Sequence, residues 1–148
     1  MRGLTYIGLL IFLALMALST AAALHIGVIM HRRYAEQELL EIGQEFRHAL
    51  LSYAISTPLG AERRPTSLQD LLKDPRYPQT KRHLRKIYTD PITGKDEWGI
   101  MQSPAGSGII GVFSLSTQQP IKIGNFDQEF IQFSGKTSYR DWVFSLAQ

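Results

Sequence analysis

The chain has 148 residues, a formal net charge of +3, an isoelectric point near 9.3, 44% hydrophobic residues and no cysteine. That length holds one ordinary domain plus an anchor. The lack of cysteine excludes disulfides, a thiolate nucleophile and cysteine-ligated zinc, and the mild basicity suits a membrane-proximal or acidic partner without identifying one.

The first predicted element is apolar. No Asp, Glu, Lys or Arg occurs from Leu4 to Met30, whereas a bilayer-spanning helix needs only about 20 residues. At 1.5 Å per residue the run would measure roughly 40 Å, so part of it should emerge from the hydrocarbon, with His25 near the interface. Three processing fates compete. With Arg2 as a positive n-region, residues 4–18 as the apolar region and Ala21-Ala22-Ala23 as the cleavage site, the segment reads as a secretory signal peptide. Against this, hydrophobicity resumes at Leu24, Ile26, Val28, Ile29 and Met30, a poor mature N-terminus, and no helix breaker precedes the alanines. The segment also reads as an uncleaved signal anchor.

The third fate rests on Gly3-Leu4-Thr5-Tyr6-Ile7-Gly8. This stretch resembles the N-terminus of type IV pilin-like proteins: a short basic leader ending in Gly, then an apolar residue, Thr, a hydrophobe, Ile and usually Glu. The resemblance implies that a prepilin peptidase cuts between Gly3 and Leu4 on the cytoplasmic side and methylates the new amine. It also implies that Leu4, Thr5, Ile7 and Gly8 begin a retained assembly helix. Gly8 departs from the family's glutamate. A lone carboxylate in lipid costs about 2.5–3.5 kcal/mol on insertion scales, and the family offsets this by pairing it with a neighbouring subunit's amine. Glycine carries neither the cost nor the pairing. Arg2 and the amine on one side, against Arg32 and Arg33 on the other, leave Lys/Arg counting close to a tie. It is the resemblance that puts the N-terminus in the cytoplasm.

After Arg33 a helical rhythm persists. Leu39, Ile42, Phe46, Ala49, Leu50 and Tyr53 recur at steps of three and four as one apolar stripe, with Glu38, Glu41, Glu45 and His48 largely off it. Gly43 is the weak point, and Pro58 is the first proline. One helix is therefore predicted from Leu4 to about Ile55, about 78 Å long if unbroken. Leu39, Ile42, Phe46, Leu50 and Tyr53 are predicted to pack it on a small domain. The alternative, an anchor followed by a separate surface helix, differs only in whether residues 30–34 stay helical.

Pro58, Gly60 and Pro65 end the long helix. Thr66 or Ser67 is expected to cap a short helix over SLQDLLKD, stopped by Pro75. TKRHLRKIY reads as a further short helix or turn. It carries Lys81, Arg82, His83, Arg85 and Lys86, the most basic cluster of the chain. Without interleaved aromatic stacking residues this reads as a solvated face rather than a nucleic-acid patch. Trp98, Ile100 and Gln102, then a Pro/Gly/Ser turn, then Ile110, Val112 and Ser114 or their neighbours predict an antiparallel hairpin. Trp142 and Phe144 fall on one face of a third short strand. The expected fold class is α+β. It comprises a leader (1–3), an apolar membrane helix (4–30), its amphipathic continuation (31–57) and a small domain (58–148).

The sequence LRKIYTDP, EWGIM and GSGIIGVFSL resembles the globular domain of type II secretion pseudopilins, through Asp90, Pro91, Trp98, Gly99, Phe113, Ser114 and Leu115. The Asp-Pro and Trp-Gly pairs, often contiguous in that family, are separated here. The resemblance implies a type IV pilin-like fold, with a long helix packed on a small sheet of about three strands. It is weaker from Gln118 to Thr137. There the family's major members hold calcium in a loop rich in Asp and Gly, whereas Gln118, Gln119, Pro120 and Lys122 stand here and only Asp127 and Glu129 follow. Two acids do not supply the six to eight oxygens that calcium takes without much backbone and water, so neither calcium nor another metal or cofactor is expected.

No nucleophile elbow, zincin, P-loop or dinucleotide motif occurs, and no catalytic residue is expected. Gly106-Ser107-Gly108 lacks a following Lys-Ser/Thr and reads as a turn. His25 and His31 sit at the membrane edge, while His48 and His83 read as surface groups.

The resemblance implies a non-catalytic structural subunit of a bacterial type II secretion system. Its membrane helix would pack against other pseudopilins, and it would engage the prepilin peptidase and the inner-membrane secretion platform. It would be a single-pass inner-membrane protein with a periplasmic domain, and nucleic acid is not an expected partner. Two alternatives stand beside it: a type IV pilus or DNA-uptake minor pilin, and a signal-anchored periplasmic enzyme or ligand-binding module.

Overall fold

The structure, a computed structural model, describes residues 2–104, 106 and 108–146, with side chains from residue 5 onward apart from 21–25. The elements are α1 (Arg2–Ile55), α2 (Gln69–Leu72), β1 (Gly99–Gln102) and β2 (Ile109–Phe113). Two 3-10 helices (Gln128–Phe133 and Tyr139–Asp141) and β3 (Phe144–Ser145) follow. The class is α+β, a long N-terminal helix with a three-stranded antiparallel sheet. Residues 30–34 are helical. The chain forms two compact units, residues 1–34 and 35–148.

In the first unit the described side chains are almost all apolar and almost all exposed, from Tyr6 to Leu18 and from Ile26 to Met30. A helix apolar on every side requires an apolar environment on every side. The hydroxyls of Ser19 and Thr20 donate back to the carbonyls of Leu15 and Met16 at 2.8 Å each, which leaves neither donor facing outward. Among the described residues no helix is long and apolar enough to cross a membrane. The described side chains of the apolar run stop at Thr20 and resume at Ile26. The side chains of Leu4, the alanine triplet, Leu24 and His25 lie outside the described ones.

The second unit is built on the amphipathic part of α1. Leu39, Phe46 and Leu50 are fully buried and Ile42, Ala49 and Tyr53 nearly so, while Glu38, Glu41, Glu45 and His48 face out. The predicted stripe is the buried face. Beyond Ile55, the Thr57 hydroxyl donates to the Ala54 carbonyl at 2.8 Å, and Pro58 cannot continue the ladder. Gly43, the weak point in propensity, is where β3 comes closest: a Cβ there would overlap the ring of Phe144.

The predicted hairpin forms, but β1 does not alternate as expected: Trp98 precedes the strand, and Ile100, Met101 and Gln102 are all exposed. Gly99 pairs with Phe113, Ile100 with Val112 and Met101 with Gly111, with an irregularity before Gln102 pairs with Ile109. Strand β3 adds antiparallel to β2 through Gly111–Ser145 and Val112–Phe144. It has two residues only, and Trp142, expected in it, instead ends the Tyr139–Asp141 3-10 helix. Trp142 and Phe144 both point into the core. Their rings pack with Phe126, Phe130, Phe133 and Tyr139 at centroid distances of 5.2–6.0 Å.

Three local expectations are corrected. The helix of SLQDLLKD shrinks to α2, and neither Thr66 nor Ser67 caps it by accepting a bond. Instead the Asp70 carboxylate accepts from both of their amides and both of their hydroxyls at 2.8–3.0 Å. Burial would raise the Asp70 pKa, but these four donors outweigh it and hold the group below the ordinary range. The segment 80–88 contains no helix. The amides of His83 and Leu84 both donate to the Leu71 carbonyl, at 2.8 and 2.9 Å, which draws the chain flat over α2. His83 is not a surface group: its side chain is 1% exposed.

Candidate functional site

Of the residues singled out as Asp-Pro, Trp-Gly and Phe-Ser-Leu, Asp90, Trp98, Gly99, Phe113 and Ser114 are brought together into one frame, while Leu115 is exposed. Asp90 is fully buried. Its Oδ1 accepts from the Ile92 amide at 2.9 Å, an Asx turn across Pro91, and the Gly94 amide closes back on the Asp90 carbonyl at 2.8 Å. Its Oδ2 accepts from the Ser114 hydroxyl at 2.6 Å, and Ser114 Oγ accepts from the Ser116 amide at 3.1 Å. The Trp98 indole donates to the Tyr88 carbonyl at 2.7 Å while its ring meets Phe46 of α1 edge-on at 5.0 Å. Gly99 is required by its strand partner, since a Cβ there would overlap the ring of Phe113. The frame fixes the hairpin against α1, which makes these positions architectural.

Glu36 was not singled out by the sequence reading, yet it is the buried carboxylate of α1. The Tyr139 hydroxyl donates to it at 2.7 Å, the Lys122 amide at 3.2 Å to Oε2, and the Ile121 amide to Oε1. One side chain thereby holds both the acid-poor loop and the second 3-10 helix to the long helix. The loop in which calcium was considered is organised by an anion accepting backbone N–H groups. Glu129, one of its two acids, accepts from Gln44 Nε2 at 2.9 Å. Among the described residues no group of His, Asp or Glu is placed to hold a metal ion.

A second polar knot closes the far end of α1. Asp74 is buried and paired with Arg76 through two bonds, Nε to Oδ1 at 2.8 Å and Nη2 to Oδ2 at 2.6 Å. The guanidinium also donates to the carbonyls of Tyr53 and Glu62 and to the Thr57 hydroxyl, and lies 3.5 Å from the Tyr53 ring centre. The hydrogen bonds from Arg76 hold the Asp74 carboxyl far below the usual range, against its burial. The same pairing raises Arg76. Burial is the main cause that raises the Tyr53 phenol.

His83 completes the knot, with Nε2 3.1 Å from Asp74 Oδ2 and Nδ1 2.8 Å from Ser52 Oγ. The row Ser52–His83–Asp74 has the residue types of a nucleophilic triad. However, Arg76 neutralises the carboxylate that would stabilise an imidazolium, and Ser52 lies within α1, where neighbouring amides are taken up by the helix and cannot receive an oxyanion. The arrangement acts as a lock between α1, α2 and the 80–88 segment.

The basic cluster splits in two. His83 turns inward, while Arg82, Arg85 and Lys86 are exposed and Lys81 half-exposed. Lys81 and Lys86 lie 4.3 and 5.3 Å from the ring centres of Tyr77 and Tyr88, so aromatic rings do accompany the cluster, one from just before the TKRHLRKIY stretch and one at its end. Thr5, Ile7 and Gly8, the predicted assembly positions, lie on the apolar helix of the first unit, and apart from the local helix backbone no heavy atom stands within 4 Å of a Cβ built at Gly8.

No family model matches the chain, and no curated protein or solved structure is detectably similar to it.

Proposed function

We propose that the chain is a pseudopilin-like structural subunit of a bacterial type II secretion system, with a type IV pilin-like fold. Its helix anchors it in the inner membrane with the N-terminus cytoplasmic and the domain periplasmic. It assembles through that helix with other pseudopilins into a short filament, after prepilin peptidase cuts between Gly3 and Leu4, and it is driven by the secretion platform. The observation that carries this reading is the change of character along α1. Side chains are apolar and exposed on all sides over residues 6–18, then buried on one stripe only from residue 35 on. The run from Leu4 to Met30, free of Asp, Glu, Lys and Arg, exceeds the roughly 20 residues a bilayer requires. The convergence of Asp90, Trp98, Gly99, Phe113 and Ser114 in one frame supports the same reading. Without a glutamate at Gly8 the helix associates by packing alone, as membrane helices with small residues do.

Cysteine scanning tests assembly directly, because the chain has no cysteine of its own. Single cysteines placed along residues 7–18 should give oxidative dimers in native membranes, with a helical period. Uniform absence of dimers would refute side-by-side assembly. A pilus or DNA-uptake minor pilin is the second reading, favoured by the exposed Arg82, Arg85 and Lys86. Charge reversal at Lys81, Arg82, Arg85 and Lys86 should then abolish DNA binding.

A further inference from the structure

Strand β1 is an edge: it has β2 on one side and, among the described residues, no strand on the other. The Leu146 amide donates to the Ile110 carbonyl, so Ile110 and Val112 turn toward β3 while Gly111 and Phe113 turn toward β1. Gly99 and Met101 therefore bond inward, and the N–H and C=O of Ile100 point away from the sheet. Among the described residues no other backbone group takes them up. Ile100 and Met101 are 42% and 43% exposed, and Gln102 is exposed beside them. The strand is short, but GIMQ carries no lysine, proline or charge, the other devices that blunt an edge.

The two ends of this edge carry opposite charge. At its far end Arg64 donates to the Ser103 hydroxyl at 2.6 Å, and before its start stands the exposed Glu97. Among the described residues the only ion pairs are those of Asp74, so neither Arg64 nor Glu97 has an ionic partner. Within one copy they do not meet, because the six residues from Glu97 to Ser103 span about 20 Å of strand. Their neighbours keep the contrast: residues 62–64 carry a net +1 and residues 95–97 a net −1, with Asp96 accepting from the Thr89 hydroxyl at 2.6 Å.

We propose that β1 pairs antiparallel with β1 of a second copy, about a two-fold axis at Ile100. In that register Ile100 faces its own counterpart and exchanges both backbone hydrogen bonds with it, and Gln102 faces Trp98. Glu97 of each copy then stands opposite Ser103 of the other, where Arg64 is held, so the axis forms two ion pairs at once. Sliding one copy by two residues carries Glu97 past Ser103 into the uncharged turn 104–108 and loses both pairs. A two-fold contact closes on itself, which makes a pair of chains and not a filament. It uses the second unit alone and does not rest on the pseudopilin reading.

The test uses the full chain in excess detergent, with one cysteine at a time introduced into a chain that has none. On oxidation Ile100→Cys should give a disulfide dimer, and Gln102→Cys and Ile131→Cys severalfold less, because the two copies of residue 102 lie four positions out of register. In the Ile100→Cys background, Glu97→Arg, Arg64→Glu and the milder Glu97→Gln should each lower the dimer severalfold, and Glu97→Arg with Arg64→Glu together should restore it. Without any substitution, hydrogen exchange at the Ile100 amide should slow as protein concentration rises. Equal dimer at 100, 102 and 131, or exchange at Ile100 that ignores concentration, overturns the pairing and leaves the reading of the apolar helix untouched. A dimer at 100 indifferent to the charge reversals overturns the register. Cross-links from residue 100 in native membranes that reach only other proteins overturn the assignment to a second copy.

Discussion

Gly43 lies directly beneath Phe144: the ring of the strand residue occupies the space that any side chain at Gly43 would need. A helix interior normally loses about 0.5–1 kcal/mol by carrying glycine in place of alanine. Here that loss permits close approach of sheet and helix. Gly43→Ala should destabilise the domain by about 1–2 kcal/mol, the cost of overpacking less the propensity gained. Gly43→Ala combined with Phe144→Leu should recover part of it. Urea unfolding of the two variants checks both; a stabilised single variant would contradict the packing.

Glu36 is the anchor of the acid-poor loop. Glu36→Ala removes the acceptor that the Tyr139 hydroxyl and the half-buried Ile121 and Lys122 amides share, at a cost of about 2–3 kcal/mol. Hydrogen exchange at Ile121 and Lys122 should rise before global unfolding. Calcium addition should not restore protection, because the wild-type loop is held by an anion. Full protection in the variant would show that the loop stands without Glu36.

The Asp74 carboxyl is held far below its ordinary range, first by hydrogen bonds from Arg76 and further by its amide and His83, with burial opposing. A depressed folded pKa means that the unfolded chain binds the proton more readily. The stabilisation is therefore complete above about pH 4 and is lost as pH falls further, toward the folded value. Asp74→Asn should cost about 3 kcal/mol at neutral pH, since it leaves the Arg76 charge uncompensated. It should also flatten the loss of stability on acidification below pH 4. An unchanged acid limb would contradict the assignment.

Ser114→Ala removes the hydroxyl that donates to the buried Asp90 carboxyl. The expected loss is about 1–3 kcal/mol, with Ser114→Thr retaining more of the stability if its methyl group is accommodated. Thermal melts of the pair distinguish the hydrogen bond from the loss of volume.

What the sequence made legible was periodic or punctuated. The stripe Leu39, Ile42, Phe46, Leu50, Tyr53 follows from a 3.6-residue repeat, the end of α1 from Pro58, and the hairpin from two β-rich runs around a Gly-rich turn. What it hid was long-range polar pairing. Glu36 meets Tyr139 across 103 positions, and Ser52 meets His83 across 31. No local pattern separates such a glutamate from the solvated Glu38, Glu41 and Glu45. Its helical position beside Ala35 and Leu39 was the one available signal. His83 was read with its charged neighbours, but the two hydrogen bonds that the amides of His83 and Leu84 donate to the Leu71 carbonyl turn it inward. Asp70 reversed the expected cap because a carboxylate accepts four bonds where a hydroxyl would have accepted one.

The central claim is that the apolar helix stays on the chain after processing at its very start. Mass spectrometry of the mature N-terminus, purified from native membranes, tests it most directly. The account predicts a chain beginning at Leu4 with a methylated amine. A chain beginning at Leu24, after the alanine triplet, would contradict it, and one retaining Met1 would leave an anchor without pilin-type processing.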